Sequence, residues 1–348
     1  MIGGARILGR GRDRQRGGPG DDLHGQVVLV TGGSRGLGYL MAREFAREGC
    51  RVAICARDEQ ELEKARAGLE GEVSGAKVFV APCDMAKRDE VERLIEAVET
   101  NVGPIDILVN NAAIITVGPL ENMSIEDFEE SMGVAFWGNL YAVFAALPGM
   151  RARRYGRIVN ITSVGGKVSV PHLLPYTAAK FAAVGLSEGL RAELAGTGVT
   201  VTTIAPGLIR TGSVFNTMVK GRREEEFAWF SLGDSLPFIS MSAERAARQI
   251  VAAAKRGDAE RILSVPAVLL SGFHGVFPGL TADILGLVNR FLLPAPSDDK
   301  GKDSSMDVHE AMDASLLDRF ITLSRTAARR FNQYPGPTDS KPETSVAQ

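Results

Sequence analysis

From position 26 onward, short uninterrupted apolar runs alternate with longer stretches in which apolar residues recur every three or four positions. The runs 27–30, 52–55 and 78–81 are each followed by a helical pattern, at 37–48, 59–69 and 89–98. Further runs at 107–109, 157–161 and 199–204 read as strands. A strand covered on both faces loses apolar/polar alternation and becomes continuously apolar. Repeated strand-helix units with right-handed crossovers then build a parallel sheet. The predicted fold is α/β: a Rossmann-like, doubly wound parallel sheet with helices on both faces over residues 26–260, plus a C-terminal helical extension. No sequence repeat of 20 to 50 residues points to a solenoid.

The texture changes after Pro206. Residues 213–237 mix charge with Phe215, Phe227, Trp229 and Phe230, as a substrate lid would. A helix is expected over 243–255. The apolar segment 261–294 contains a stretch, 262–282, without Asp, Glu, Lys or Arg but with Pro266, Pro278 and three glycines. Those helix breakers argue against a membrane span. The segment is expected to be a buried or subunit-interface element, with contact at a membrane surface as the alternative. Residues 295–306 are polar and small and read as a linker. In 307–333, Val308, Met312, Leu316, Phe320, Leu323, Ala327 and Phe331 recur at helical spacing, with Arg319, Arg325, Arg329 and Arg330 among them. That pattern predicts an amphipathic helix docked on the body, with a basic membrane-surface helix as the alternative. Residues 1–25, rich in Gly and carrying five arginines, and residues 334–348 read as disordered tails.

A chain of 348 residues, 45% hydrophobic, with a formal charge of -2, is large enough for a substantial core and is no general polyanion binder, so nucleic acid is not an expected partner. Cys50, Cys55 and Cys83 lie in or beside apolar runs, which fits neither a disulfide framework nor a metal site. No apolar stretch of secretory length occurs in the first 25 residues. A cytoplasmic, reducing location is expected, with peripheral membrane attachment through the C-terminal region as a variant.

Candidate chemistry starts at the end of the first run, where Thr31-Gly-Gly-Ser-Arg-Gly-Leu-Gly38 leads into the first helical pattern. A strand running into a glycine-rich turn and a helix presents backbone N–H groups and the positive helix end to a pyrophosphate. After the second strand the chain reads Ala56-Arg57, with no acid to bind ribose hydroxyls. Arg57, with Arg35 in the turn, offers charge-assisted hydrogen bonds to a 2′-phosphate, so NADP(H) is expected over NAD; Asp58 complicates that charge balance. Ser163 is followed thirteen residues on by Tyr176, and Tyr176 by Lys180, four residues later and on the same helix face.

The Thr-Gly-x-x-x-Gly-x-Gly turn, Asn110-Asn-Ala-Ala113, Gly156-Arg-Ile-Val-Asn-Ile-Thr-Ser163 and Tyr176-Thr-Ala-Ala-Lys180 together resemble the short-chain dehydrogenase/reductase (SDR) family over roughly residues 26–255. The resemblance implies an oxidoreductase. Ser163, Tyr176 and Lys180 are its implied catalytic residues, with Tyr176 as acid/base, its pKa lowered by Lys180 and the oxidised nicotinamide, and Ser163 hydrogen-bonded to the carbonyl or alkoxide. The implied cofactor residues are Thr31, Gly32, Ser34, Arg35, Gly36, Leu37, Gly38, Arg57, Asp84, Asn111, Ala112, Tyr176, Lys180, Pro206, Gly207 and Thr211. Lys180 would also hold the nicotinamide ribose.

Two positions depart from the family text. Ala113 replaces a glycine, and Ala135 stands in Val134-Ala-Phe-Trp-Gly138 where the family commonly has the Asn of a proton relay; Asn139 follows one helical turn later. A slower or rerouted relay is expected. The expected activity is NADP(H)-dependent reduction of a hydrophobic ketone or oxidation of a secondary alcohol, in a homo-oligomer. Two alternatives are an NADP(H)-binding regulatory or scaffold protein with impaired catalysis and a membrane-surface lipid or steroid dehydrogenase.

Overall fold

The computed structural model describes residues 22–235, 240–312 and 322–333. The expected tails at 1–21 and 334–348, the end of the lid at 236–237 and the middle of the C-terminal helix at 313–321 lie outside the described residues. In chain order the first half contains β1 (Val27–Thr31), α1 (Gly36–Arg47), β2 (Arg51–Ala56), α2 (Glu59–Glu72), β3 (Val78–Pro82), α3 (Arg88–Asn101), β4 (Ile107–Asn110), β5 (Thr116–Val117), α4 (Ile125–Met132) and α5 (Gly138–Arg153). The second half adds β6 (Gly156–Ile161), α6 (Leu174–Glu193), β7 (Val199–Pro206), β8 (Ile209–Arg210), β9 (Met218–Lys220), α7 (Arg223–Ser235), β10 (Met241–Ser242), α8 (Ala243–Arg256), β11 (Glu260–Leu263), α9 (Val265–Val276), α10 (Pro278–Leu292), β12 (Lys302–Ser304), α11 (Ser305–Ala311) and α12 (Thr322–Arg330).

Seven strands form one parallel sheet in the order β11-β7-β6-β4-β1-β2-β3. The apolar runs explain it directly. Along β1, Val28 and Val30 enter the core beneath α1 and α8, while Val27 and Leu29 enter the core beneath α3 and α5. Along β2, Val52 and Ile54 take the first side, Ala53 and Cys55 the second. Successive side chains point to opposite faces, so a strand with two buried faces needs apolar residues at every position. The strand order reverses between β1 and β4, and their carboxyl ends open a crevice there.

The C-terminal third departs from expectation in three ways. Residues 295–306 are more than a linker: β12 pairs antiparallel with β9, which also pairs with β5. The continuous helix expected over 307–333 is interrupted: α11 ends at Ala311, and Met312 is extended at φ -78°, ψ 140°. The 261–294 segment begins as an edge strand, β11, and continues as two helices that meet at 119° around Phe277. It is not buried. Leu269, Val276, Phe291 and Leu292 are each about two-thirds or more exposed. A third apolar cluster joins Phe215, Phe227 and Phe230 of the lid to Val308 of α11 and Ala328 of α12.

Candidate active site

The glycine turn is braced from below by the end of β4. The Thr31 hydroxyl accepts hydrogen bonds from the N–H groups of Asn111 (2.9 Å) and Ala112 (3.1 Å), and Asn111 Nδ2 donates to the carbonyls of Thr31 (2.9 Å) and Gly32 (3.1 Å). Gly38 faces the same carbonyl so closely that a Cβ there would lie 2.0 Å from Gly32 O. Arg35 is extended and caps α1 only with its backbone, and no acidic side chain occupies the helix's first turn. No acid of its own first turn therefore compensates its positive end, which favours an anion.

A cavity of about 860 Å³ runs from this turn across the sheet. Gly32, Ser34, Arg35, Leu37, Gly38, Arg57, Asp84, Asn111 and Ala112 line one part of it, and Ser163, Tyr176, Lys180, Pro206, Gly207 and Thr211 the other. Of the residues expected at the site, Thr31 is buried behind the turn, and Gly36 lies under the C-terminal segment with its N–H donated to the Phe331 carbonyl (2.8 Å). Asn111 lines the cavity but commits its side-chain amide to the turn. Arg35 is held by Glu61, Nη1 to Oε1 at 2.8 Å, and Ser34 Oγ donates to the same carboxylate (3.0 Å). Arg57 is exposed and forms no ion pair among the described residues. Asp58 accepts from Glu61 N at 2.8 Å as the cap of α2, which gives its carboxylate a local role.

At the other end, Ser163 closes β6 and accepts from Gly165 N–H (3.0 Å), and its hydroxyl is hydrogen-bonded to Tyr176. Lys180, one turn after Tyr176 on α6, is 2% exposed and donates to the Ile161 carbonyl at 2.8 Å; its ammonium lies 5.6 Å from the Tyr176 ring centre. Burial pushes Lys180 down to about 8. Burial also raises the Tyr176 phenol, an effect only partly offset by the Ser163 hydrogen bond. In the protein by itself the phenol is thus raised, because protein surrounds a group whose charged form wants water and the Lys180 ammonium is turned to a carbonyl; the lowering expected from the sequence also drew on the charge of the oxidised nicotinamide.

A buried polar chain holds this end in register. Asn110 Nδ2 donates to Asn160 Oδ1 (2.9 Å), Asn160 Nδ2 to Ser187 Oγ (2.9 Å), and Ser187 meets the Thr203 hydroxyl at 2.6 Å, tying β4, β6, α6 and β7 together. At the departure noted above, α4 passes into α5 through a π turn, Gly133–Trp137, and the Ala135 carbonyl accepts from Asn139 Nδ2 at 2.8 Å.

The short chain dehydrogenase family model matches residues 26–220. This chain belongs to the short-chain dehydrogenase family. Its members are oxidoreductases that bind a nicotinamide dinucleotide, and the seven-stranded sheet, crevice and glycine turn described above are the corresponding parts of this one. The chain is 38% identical over 199 residues to a dehydrogenase/reductase SDR family protein 7-like of Anopheles gambiae, a match covering 56% of this chain and 63% of that relative. The protein 7-like of Drosophila melanogaster is 32% identical over 246 residues, covering 70% of this chain and 74% of its own. A putative ketoacyl reductase of Streptomyces coelicolor is 38% identical over 188 residues, covering 53% of this chain and 71% of its own. Among solved structures, L-sorbose reductase from Gluconobacter frateurii, complexed with NADPH and L-sorbose, superposes with a TM-score of 0.62 at 24% identity, covering 70% of this chain and 97% of that one, a likeness of fold.

Sequence reasoning missed part of this short-chain dehydrogenase's cavity: Glu61, Ser264, Pro266, Ala267, Leu270 and Gln333 also line it. Gln333 carried no signal, since it lies 295 residues beyond Gly38 in an amphipathic pattern read as packing. Pro266 and Leu270 sit in a run whose apolar character is equally that of a core.

Proposed function

We propose that this protein is an NADP(H)-dependent carbonyl reductase, or secondary alcohol dehydrogenase, of a hydrophobic ketone or alcohol. The observation that carries it is the convergence of Ser163, Tyr176 and Lys180 at one end of the cavity, beside an apolar wall that includes Val170, Leu173, Trp229, Phe230 and Leu270. The N-terminus of α1, with no acidic side chain in its first turn, and the closely packed glycine turn fit a pyrophosphate, and Arg57, which lines the same cavity as Ser34, fits a 2′-phosphate. The cofactor, when bound, supplies or accepts the hydride.

In reduction, Tyr176 donates its proton to the substrate carbonyl oxygen, and its raised pKa keeps that proton in place over the neutral range. Ser163 stabilises the charge developing on the same oxygen. Lys180, protonated below about pH 8, places a positive charge behind the phenol as phenolate forms. A regulatory binder without chemistry has no comparable use for the three groups held together. The test is oxidation of NADPH and of NADH over a panel from apolar ketones to polyhydroxy sugars. NADPH with an apolar ketone should give at least tenfold higher kcat/KM than NADH, and Arg57→Ala should remove most of that preference. Equal use of both cofactors by the wild type would reject Arg57 as the selector, and a preference for sugars would reject the apolar substrate.

A peripheral membrane location is the second reading, favoured by the exposed helices α9 and α10. Their apolar faces lead to the cavity through Pro266, Ala267 and Leu270, a route for a substrate dissolved in lipid. Flotation with phosphatidylcholine liposomes should carry the wild type and leave behind Leu269→Glu/Phe277→Glu/Phe291→Glu, with turnover of a water-soluble ketone unchanged. A wild type that stays in the dense fraction would reject this reading. Exposed Phe144 on α5 and Phe181 on α6 support a homo-oligomer formed elsewhere on the surface.

A further inference from the structure

The C-terminal segment returns to the cofactor turn and brings a polar side chain with it. Helix α12 packs its Ala328 against Gly212, where a Cβ would lie 2.3 Å from Ala328 Cβ. After α12 the chain turns through Asn332 in the left-handed region, φ 56°. Three contacts follow: the Phe331 carbonyl accepts from Gly36 N–H (2.8 Å), Asn332 Nδ2 donates to the Ser34 carbonyl (2.9 Å), and Gln333 N–H donates to the Ala328 carbonyl (2.9 Å). Gln333 is 7% exposed and lies directly over Gly36, where a Cβ would come within 2.0 Å of its Nε2.

The orientation of that side chain is set by Asn216. Asn216 Nδ2 donates to the backbone carbonyl of Gln333 (2.8 Å) and to its Oε1 (2.5 Å). An amide nitrogen only donates, so the acceptor end of Gln333, a cavity-lining residue, is held against Asn216 and the donor end, Nε2, is placed over Gly36 at the start of α1. Nε2 has no acceptor among the described residues. Gln333 is 7% exposed as a residue, so this open donor is fixed in place and is available to an acceptor that enters the cavity. The site beside it is the first turn of α1, which favours an anion and has already committed one N–H, that of Gly36, to the C-terminal segment. The segment thus takes one backbone donor from the turn and offers a side-chain donor in its place.

We propose that Gln333 is a ligand of the dinucleotide pyrophosphate, donating from Nε2 to a phosphate oxygen, with Asn216 as the residue that positions it. The assignment rests on dinucleotide binding in the crevice and extends the cofactor site to a segment beyond the family match, which ends at residue 220. The experiment is equilibrium titration of the full chain, followed by calorimetry, with NADPH, with NADH and with adenosine 2′-phosphate, a fragment lacking the pyrophosphate. Gln333→Glu, similar in shape but acceptor-only, should raise the Kd of the preferred dinucleotide at least 30-fold. Gln333→Ala should raise it 5- to 20-fold, and Asn216→Ala, which releases the side chain, 3- to 10-fold. Adenosine 2′-phosphate should change less than twofold in all three variants. Unchanged dinucleotide affinity in Gln333→Glu overturns the assignment. So does a parallel loss for the fragment, which would mean that the variants merely disturb the turn. A wild type that binds neither dinucleotide overturns both this assignment and the cofactor reading beneath it.

Discussion

Tyr176→Phe is expected to lower kcat by about 10³- to 10⁴-fold, near the upper end of what a positioned general acid contributes, while the Kd for the dinucleotide changes less than threefold. The variant removes one oxygen and keeps the ring that lines the cavity, so binding and proton transfer separate. Single-turnover measurements with bound reduced cofactor read the chemical step directly. A residual rate within tenfold of wild type would show that another group supplies the proton. The pH profile identifies the partner. With Tyr176 held protonated by burial and Lys180 lowered to about 8, kcat/KM for reduction should be level below pH 8 and fall above it, as Lys180 loses the charge that supports the phenolate. The sign follows from the direction of the reaction: reduction consumes the phenol's proton and needs the ammonium. In Lys180→Arg the guanidinium stays charged, and the falling limb should disappear whatever the height of the plateau. A limb that persists in that variant would assign it elsewhere.

Gly38→Ala should be the most damaging single change at the cofactor end. The added methyl would sit 2.0 Å from the Gly32 carbonyl oxygen and 2.8 Å from Asn111 Nδ2, so the turn, its Asn111 brace and the start of α1 must separate. Overpacking of this kind costs about 1–3 kcal/mol, and at about 2–4 °C per kcal/mol the melting temperature should drop by roughly 2–12 °C. The dinucleotide Kd should rise more than 100-fold, because displacing these atoms moves the turn whose backbone N–H groups would meet the pyrophosphate. Gly71→Ala on α2 is the control: nothing lies within 4 Å of its added methyl, and removing a helical glycine should be neutral or stabilising by about 0.5–1 kcal/mol. Equal loss in both variants would tie the effect to glycine removal as such, and unaltered binding in Gly38→Ala would refute a tight turn.

Much of this molecule was legible along the chain. The runs at 27–30 and 52–55 implied strands buried on both faces, and each supplies alternate residues to opposite cores. The glycine turn was legible for a different reason, since close backbone approach restricts residue type narrowly, and Ser163, Tyr176 and Lys180 were legible through the resemblance of their spacing and flanking text to the family. The residue-level electrostatics were not legible. Arg35 was read as available to a phosphate, yet α2 brings Glu61 to 2.8 Å from it. Tyr176 was expected to have a pKa lowered by Lys180 and the oxidised nicotinamide, and the sequence did not show how far burial by the surrounding elements raises it. The apolar run after residue 261 was expected to be buried in the body or in a subunit interface, or to touch a membrane surface; hydrophobicity does not tell which of these an apolar face meets, and Leu269 and Phe291 face outward from the body.

The sequence by itself determined the sheet, its two covered faces and the glycine turn, because periodicity and backbone tolerance act locally, and the family resemblance singled out Ser163, Tyr176 and Lys180, which the fold brings to one cavity. Only the tertiary structure decided how α9 and α10 stand away from the body, that β12 joins β9, and that Gln333 returns to Gly36. Those outcomes depend on contacts between segments far apart in the chain, where the favourable partner is chosen by geometry and burial and leaves no periodic trace in either segment.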